Sequence, residues 1–203
     1  MLPKALVSVI EALGELPGVG PRSAERYAYS LLRRDRHVAE KIAGSLAGLH
    51  TGVKQCPVTY ALIDAEETVS SLYSDPKRDK QLVAIVEEPL DIIALEKTKQ
   101  FKGTYHVLGG AMSPIDGVGP EQLHIPELIE RLKKDGVQEV ILATNASVEG
   151  ESTALYIQRH IKESELEAIT ISRLARGIPV GVDLEYADQI TLAHALQGRK
   201  QML

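Results

Sequence analysis

Over residues 80–172, short apolar runs rich in β-branched residues alternate with stretches of helical periodicity, and few folds accommodate that pattern. Leu82-Val-Ala-Ile-Val86 and Val140-Ile-Leu-Ala143 have the near-continuous hydrophobicity of strands buried on both faces, as in parallel sheets. Further strands are predicted over 105–108 and 167–172. Helices are predicted over 91–99, 126–135 and 151–162, with Ile92, Ile93, Leu95, Leu128, Ile129 and Leu132 available for packing. Such alternation implies an α/β domain, a parallel sheet covered by helices on both faces.

Open sheets of this kind place their sites at the carboxyl ends of the strands. The central run ends in Thr144-Asn-Ala-Ser-Val-Glu-Gly-Glu151. A strand ending in Asp-x-Asp with a glutamate beyond can hold Mg²⁺, a hard ion that takes carboxylate oxygens in near-octahedral order. Here the aspartate positions carry Asn145 and Ser147, which leaves Glu149 and Glu151 and removes two formal charges from any such cage. Nucleophilic catalysis has no support either, because Ser113 and Ser147 have no base at a recognisable spacing. His106, His124 and His160 pair with no cysteine or carboxylate at ligand spacing, so they read as structural or surface residues.

The amino-terminal stretch is helical. Leu6, Val9, Ile10 and Leu13 recur at helical spacing up to Gly14. After Leu16-Pro-Gly-Val-Gly-Pro21 a second helix is expected from Arg22 or Ser23, with Ala24, Tyr27, Ala28, Leu31 and Leu32 on one face. A third helix, with Val38, Ile42, Leu46 and Leu49 inward, is expected to end near Gly52. This is a helix-hairpin-helix pattern. Gly18 and Gly20 let the backbone turn tightly, so that N–H groups near the second helix's start can face a phosphate oxygen, and Arg22 and Arg26 add charge one turn apart. Such a device reads backbone and not base sequence. A plain helical hairpin has the same glycines, but the arginines that follow favour DNA. Arg33, Arg34 and Arg36 either extend the DNA surface or cap the second helix at its negative end. The same Gly-Val-Gly-Pro letters recur at 117–120 between Asp116 and Glu121, where the charge would repel phosphate, so that copy reads as a loop.

Charge follows the same division. The net charge is −5, yet residues 1–54 hold eight basic against five acidic side chains and the remainder is correspondingly acidic. One end can meet phosphates while the other meets a basic protein. Aromatic residues make up 4% of the chain, so the core must be aliphatic. One cysteine precludes an intramolecular disulfide and suits a reducing cytoplasm. Ala5-Leu-Val-Ser-Val-Ile10 is too short to span a membrane and no cleavage pattern follows it, so a soluble, cytoplasmic protein is expected. Residues 54–79 are too few to bury a core of their own, the situation in which a metal often helps. Cys56 is their one possible thiolate ligand and they contain no histidine, whereas structural zinc takes four such donors.

Taken together, Leu16-Pro-Gly-Val-Gly-Pro-Arg-Ser-Ala24, Ser74-Asp-Pro-Lys-Arg-Asp79, Val86-Glu-Glu-Pro89, Tyr105-His-Val-Leu108, Leu142-Ala-Thr-Asn-Ala-Ser-Val-Glu-Gly-Glu151, Gly177-Ile-Pro-Val-Gly181 and Leu184-Glu-Tyr-Ala187 resemble the RecR family of bacterial recombination mediators. The resemblance implies a helix-hairpin-helix region over 1–53, a zinc-finger-like module over 54–79, a Toprim domain over 80–175 and a carboxyl-terminal oligomerisation tail over 176–203. It implies DNA contacts at Gly18, Gly20, Arg22 and Arg26, and a homo-oligomer, from dimer to tetrameric ring, acting near the nucleoid with RecO and RecF. RecO would dock on an acidic rim of Glu87, Asp91 and Glu149. The family's four zinc cysteines fall on Cys56, Thr59, Ser70 and Tyr73, so zinc, the cofactor the family implies, is not expected here. A non-enzymatic DNA clamp is the reading that results. Its alternative is a metal-dependent Toprim nuclease or phosphoryl-transfer enzyme using Glu87, Glu149 and Glu151, which would need clustered carboxylates to hold two ions about 4 Å apart.

Overall fold

The fold is taken from a computed structural model that describes residues 2–199 and divides into two units after Lys54. In the first unit, Pro3 opens α1 (Lys4–Gly14) by accepting from the N–H groups of Leu6 and Val7. The turn that follows puts Gly18 at φ +78°, where a side chain would be strained. Helix α2 (Pro21–Arg33) starts at Pro21, one residue earlier than the arginine suggested, because proline at the first helical position has the right φ and no N–H to orphan. Ala24 and Ala28 are buried and face α1 as small residues that admit close packing, while Tyr27 and Leu32, expected inward with them, are exposed. Helix α3 (Arg36–Gly52) departs further from expectation: Ile42, Leu46 and Leu49 stand 43%, 62% and 55% exposed. It packs against α2 far less than α1 does, so an apolar face with the periodicity of a core helix remains open in the single chain.

Beyond β1 (Val53–Gln55), the second unit opens with β2 (Leu62–Asp64) and the one-turn helix α4 (Ser71–Ser74). Then come β3 (Asp79–Val86), α5 (Pro89–Lys97), β4 (Gly103–Val107), α6 (Ile125–Asp135), β5 (Glu139–Leu142), α7 (Val148–Glu163), β6 (Thr170–Arg173) and α8 (Gln189–Gln197). The sheet order is β4-β3-β5-β6 and every pairing is parallel. Because the chain leaves β3 for β4 on one side and returns to β5 on the other, the carboxyl end of β3 is the topological switch point, where a crevice is expected. Leu128, Leu132, Ala154, Ile157 and Ile161 fill one face of the sheet, and Ile92 of α5 packs with Ala84, Val86 and Tyr105 on the other.

Two helices begin earlier than their periodicity indicates, and capping explains both. The Asp91 carboxylate accepts from the Glu88 N–H at 2.8 Å across Pro89, and the Ser147 hydroxyl accepts from the N–H of Gly150 at 3.0 Å. The edge strand β4 is buried along its whole length, since Thr59 supplies a carbonyl to the Val107 N–H at 2.8 Å and so covers the sheet edge. Arg131 of α6 is buried behind it, donating to the Tyr105 carbonyl, the Thr104 hydroxyl and Asp135.

His106 lies near the carboxyl end of β4 with no exposed surface, donating through Nε2 to the His124 carbonyl at 2.8 Å. Burial pushes its pKa down to about 3 from the usual 6.5. The folded ring is therefore neutral while the unfolded ring takes up a proton below pH 6.5, so stability is lost as pH falls from 6.5 toward 3. This one group therefore steepens the loss of stability with acid in that window. Chemical denaturation at a series of pH values should show a shallower acid slope for His106→Gln than for the wild type, and equal slopes would contradict this assignment.

Candidate functional site

The amino-terminal unit presents an open basic helix face. Gly20 caps α2 without a side chain, and its carbonyl accepts from the Ser23 and Ala24 N–H groups at 2.9 and 3.0 Å, which leaves the Arg22 N–H of the first turn open. Arg22 and Arg26 are exposed on the first two turns, the Arg26 guanidinium lying 5.6 Å from the Tyr27 ring centroid. Farther along the same helix Arg26, Tyr29, Ser30, Arg33 and Arg34 line a cleft of about 440 Å³. Arg33 and Arg34 thus continue the basic stripe, whereas Arg36 turns to Glu40 at 2.7 Å. The face offers arginine forks, hydroxyls and the Arg22 backbone N–H, a donor set for phosphate oxygens.

The switch point of the second unit is arranged differently from the sequence expectation. Glu87 follows β3 and is 6% exposed, so it is absent from the acidic rim to which it was assigned. Its carboxylate accepts from the Asn145 backbone N–H at 2.8 Å and from the Asn145 amide at 2.5 Å. This burial depends on Gly150, where a Cβ would come within 2.7 Å of Glu87 Oε1 and 2.3 Å of the Asn145 carbonyl. Thr144 donates to the Gly150 carbonyl at 2.8 Å, closing the loop. Both positions that would carry aspartates in a metal site therefore hold the loop together, Asn145 through Glu87 and Ser147 through its cap on α7. Glu151 is also committed: Arg173 donates to it at 2.7 Å and Arg176 pairs with its other oxygen. Burial, together with repulsion from Arg176, holds the Arg173 guanidinium below its ordinary pKa. Asp91 is half-buried and accepts from the Glu88 N–H at 2.8 Å, and Glu149 is exposed. Among the described residues no three His, Cys, Asp or Glu side chains gather as a metal would require.

Sequence reasoning missed Arg173 and Arg176. Their signal was position, since both lie at and just beyond the carboxyl end of β6, the strand next to β5. With Ser147, Glu151, Ile190 and His194 they line an open crevice of about 740 Å³.

The four positions implied as zinc ligands do not fit that metal. Cys56 is fully buried, and its sulfur accepts from the N–H groups of Thr59 at 3.4 Å and Ser70 at 3.3 Å. Burial pushes the thiol pKa up, but the hydrogen bonds from Thr59, Ser70 and Val58 outweigh it and the net shift is downward. Tyr73 is directed elsewhere. Its hydroxyl donates to Asp135 at 3.0 Å, and its ring centroid lies 4.3 Å from the Lys80 ammonium and 5.1 Å from the Arg131 guanidinium. One thiol and two small hydroxyls cannot supply four zinc donors, and the fourth position serves as a clasp between the module and α6.

Comparisons with known proteins follow these divisions. The RecR helix-hairpin-helix profile matches residues 6–49, the Toprim domain profile residues 81–175 and the RecR C-terminal profile residues 177–200. The chain is 48% identical over 200 residues to recombination protein RecR of Moorella thermoacetica, with 98% of each chain covered. It is 46% identical over 198 residues to that of Thermobifida fusca, covering 98% of this chain and 97% of the relative. It is 45% identical over 194 residues to that of Acidothermus cellulolyticus, covering 96% and 95%.

The Tyr73 clasp should be measurable as stability that needs no metal. Tyr73→Ala should cost roughly 2–4 kcal/mol and Tyr73→Phe about 1 kcal/mol, each read as a lowered denaturation midpoint. A chelator should leave the wild-type midpoint where it is. Elemental analysis finding one zinc per purified chain would refute this picture of the module.

Proposed function

The chain belongs to the RecR family, and we propose that it is a DNA-binding recombination mediator, acting without catalysis as a homo-oligomeric clamp in recombinational repair with RecO and RecF. The observation that carries this reading is the contrast between the two units. The α2 face leaves its arginines and the Arg22 backbone N–H open to phosphate, while the switch point has its carboxylates committed to other protein groups.

In this reading Gly18 and Gly20 bring the backbone to a phosphate, Arg22 and Arg26 hold that phosphate from the helix, and Arg33 follows the strand. Clamp formation draws support from apolar side chains left open in the single chain. These are Ile42, Leu46 and Leu49 on α3, and Val180, Leu184, Tyr186 and Ile190 in the tail, whose burial between copies would assemble dimers into a ring. RecO would dock through Asp91 and Glu149, the reachable members of the acidic set, with Glu87 supporting their loop from beneath. The alternative nuclease needs metal-bound carboxylates, and it fares worse because Glu87 is taken by Asn145 and Glu151 by two arginines. Among the described residues no helix is long and apolar enough to cross a membrane.

Replacing both Arg22 and Arg26 by alanine should weaken binding to unrelated duplexes alike. It should also flatten the plot of log affinity against log salt by about one unit for each phosphate no longer neutralised. Both side chains are exposed, so stability should move by no more than about 0.5 kcal/mol. Wild-type affinity and salt slope in the folded double variant would make the hairpin purely structural. For the partner surface, Glu149→Lys should weaken RecO binding with DNA affinity and assembly unchanged, and an unaltered RecO affinity would remove Glu149 from that surface.

A further inference from the structure

The junction between the module over 54–79 and the α/β domain carries a cleft whose apolar lining the proposed function does not use. Ile63 and Leu62 of β2, Leu72 of α4, and Pro89, Leu90 and Ile93 of α5 line about 240 Å³ of it. Leu62, Leu90 and Ile93 stand 54%, 71% and 50% exposed, although they sit in well-formed elements where polar residues would serve equally. Leu90 and Ile93 are three residues apart and so form one ridge along α5, with Leu62 and Leu72 beyond the cleft. A ridge beside a groove of this kind accepts a helix.

The surroundings specify the charge of that helix. Asp64, Glu66, Glu67, Glu88 and Asp91 belong to the two segments that wall the cleft, and residues 61–72 and 88–93 contain no lysine or arginine. Asp64, Glu66 and Glu88 are exposed, and Glu67 lines the cleft itself. An apolar strip inside a one-signed acidic border selects an occupant with the opposite pattern, apolar along one stripe and basic on its flanks.

We propose that this cleft is a docking site for a basic amphipathic helix of a partner protein, seated on Leu62, Leu90 and Ile93 and held in register by Asp64, Glu66 and Glu67. Asp91 on this border also belongs to the RecO set proposed above, but the seat itself is Leu62, Leu90 and Ile93, and it stands whether or not RecO uses Glu149.

The test titrates full-length protein into a fluorescein-labelled synthetic helix with leucines at every third or fourth position and lysines elsewhere, read by anisotropy. Wild-type protein should bind saturably with one peptide per chain, more weakly at high salt. The double variant Leu90→Asp, Ile93→Asp, with both sites exposed and folding checked by circular dichroism, should lose at least about tenfold in affinity. Nonspecific attraction of the lysines would instead increase with the two added negative charges. Asp64→Lys with Glu66→Lys should weaken the basic peptide and favour its glutamate counterpart, while Glu167→Lys, at an exposed position with no part in either surface, should leave binding unchanged. Absence of saturable binding, or equal affinity in the Leu90→Asp, Ile93→Asp variant, would overturn the proposal. So would loss of self-association in that variant by sedimentation velocity, since a second copy would then be the occupant.

Discussion

The hydrogen-bonded pair of Glu87 and Asn145 is the constraint on which the α/β domain's functional end depends. It ties the residue after β3 to the loop after β5, the two strands that flank the switch point, and it lies directly beneath the first turn of α7. A buried carboxylate without donors is costly, and losing one partner of such a pair costs roughly 1–3 kcal/mol or more. Gly150 admits the pair by having no Cβ, and Thr144 and Ser147 fasten that same turn from either side. What could have been a cation cage is thereby an uncharged amide locked onto a single carboxylate. The arginines on Glu151 complete the change, because a carboxylate between two guanidinium groups has little left to offer a divalent cation. The geometry of a metal site persists while its charge has been redirected into holding loops.

The same exchange has occurred in the module before the sheet. Where four thiolates would close around a metal, one sulfur accepts two backbone N–H groups, and a tyrosine reaches across to Asp135, Lys80 and Arg131. Arg131 in turn is anchored to the backbone of β4, so the module is held by the domain it covers. Its stability is therefore coupled to the sheet through Tyr73 and through the Thr59 carbonyl on the β4 edge. Two sites built for ions in outline thus serve packing, whereas Arg22 and Arg26 of α2 stand open to solvent.

Much of this was legible in the sequence, for identifiable reasons. Strands β3 and β5 are runs with no polar interruption, and α6 has a strong apolar stripe ended by Gly136 in the left-handed region, so their existence and order followed from periodicity. The starts of α5 and α7 did not, because Pro89 with the Asp91 carboxylate, and the Ser147 cap, move each helix boundary upstream of its apolar pattern. The burial of Glu87 was hidden because a glutamate's exposure depends on what lies above it, here a glycine 63 positions later; the Asn and Gly in that loop were the only hint. Helix α3 illustrates a different limit. Its periodicity reveals an apolar face, but not whether the same chain, another copy or a partner covers it. Tyr73 was read as a missing ligand, and its second role depends on Asp135 and Arg131, more than fifty residues away.

We propose that this chain grips DNA electrostatically without cutting it. The most direct measurement follows a labelled duplex and a labelled single strand with the full-length protein, with and without Mg²⁺ or Mn²⁺, reading binding and strand length in the same samples. The account predicts salt-dependent binding that needs no divalent ion and a substrate of unchanged length throughout. A cleavage product that appears only with the metal, and is lost in Glu87→Gln, would contradict it and return the switch point to catalysis.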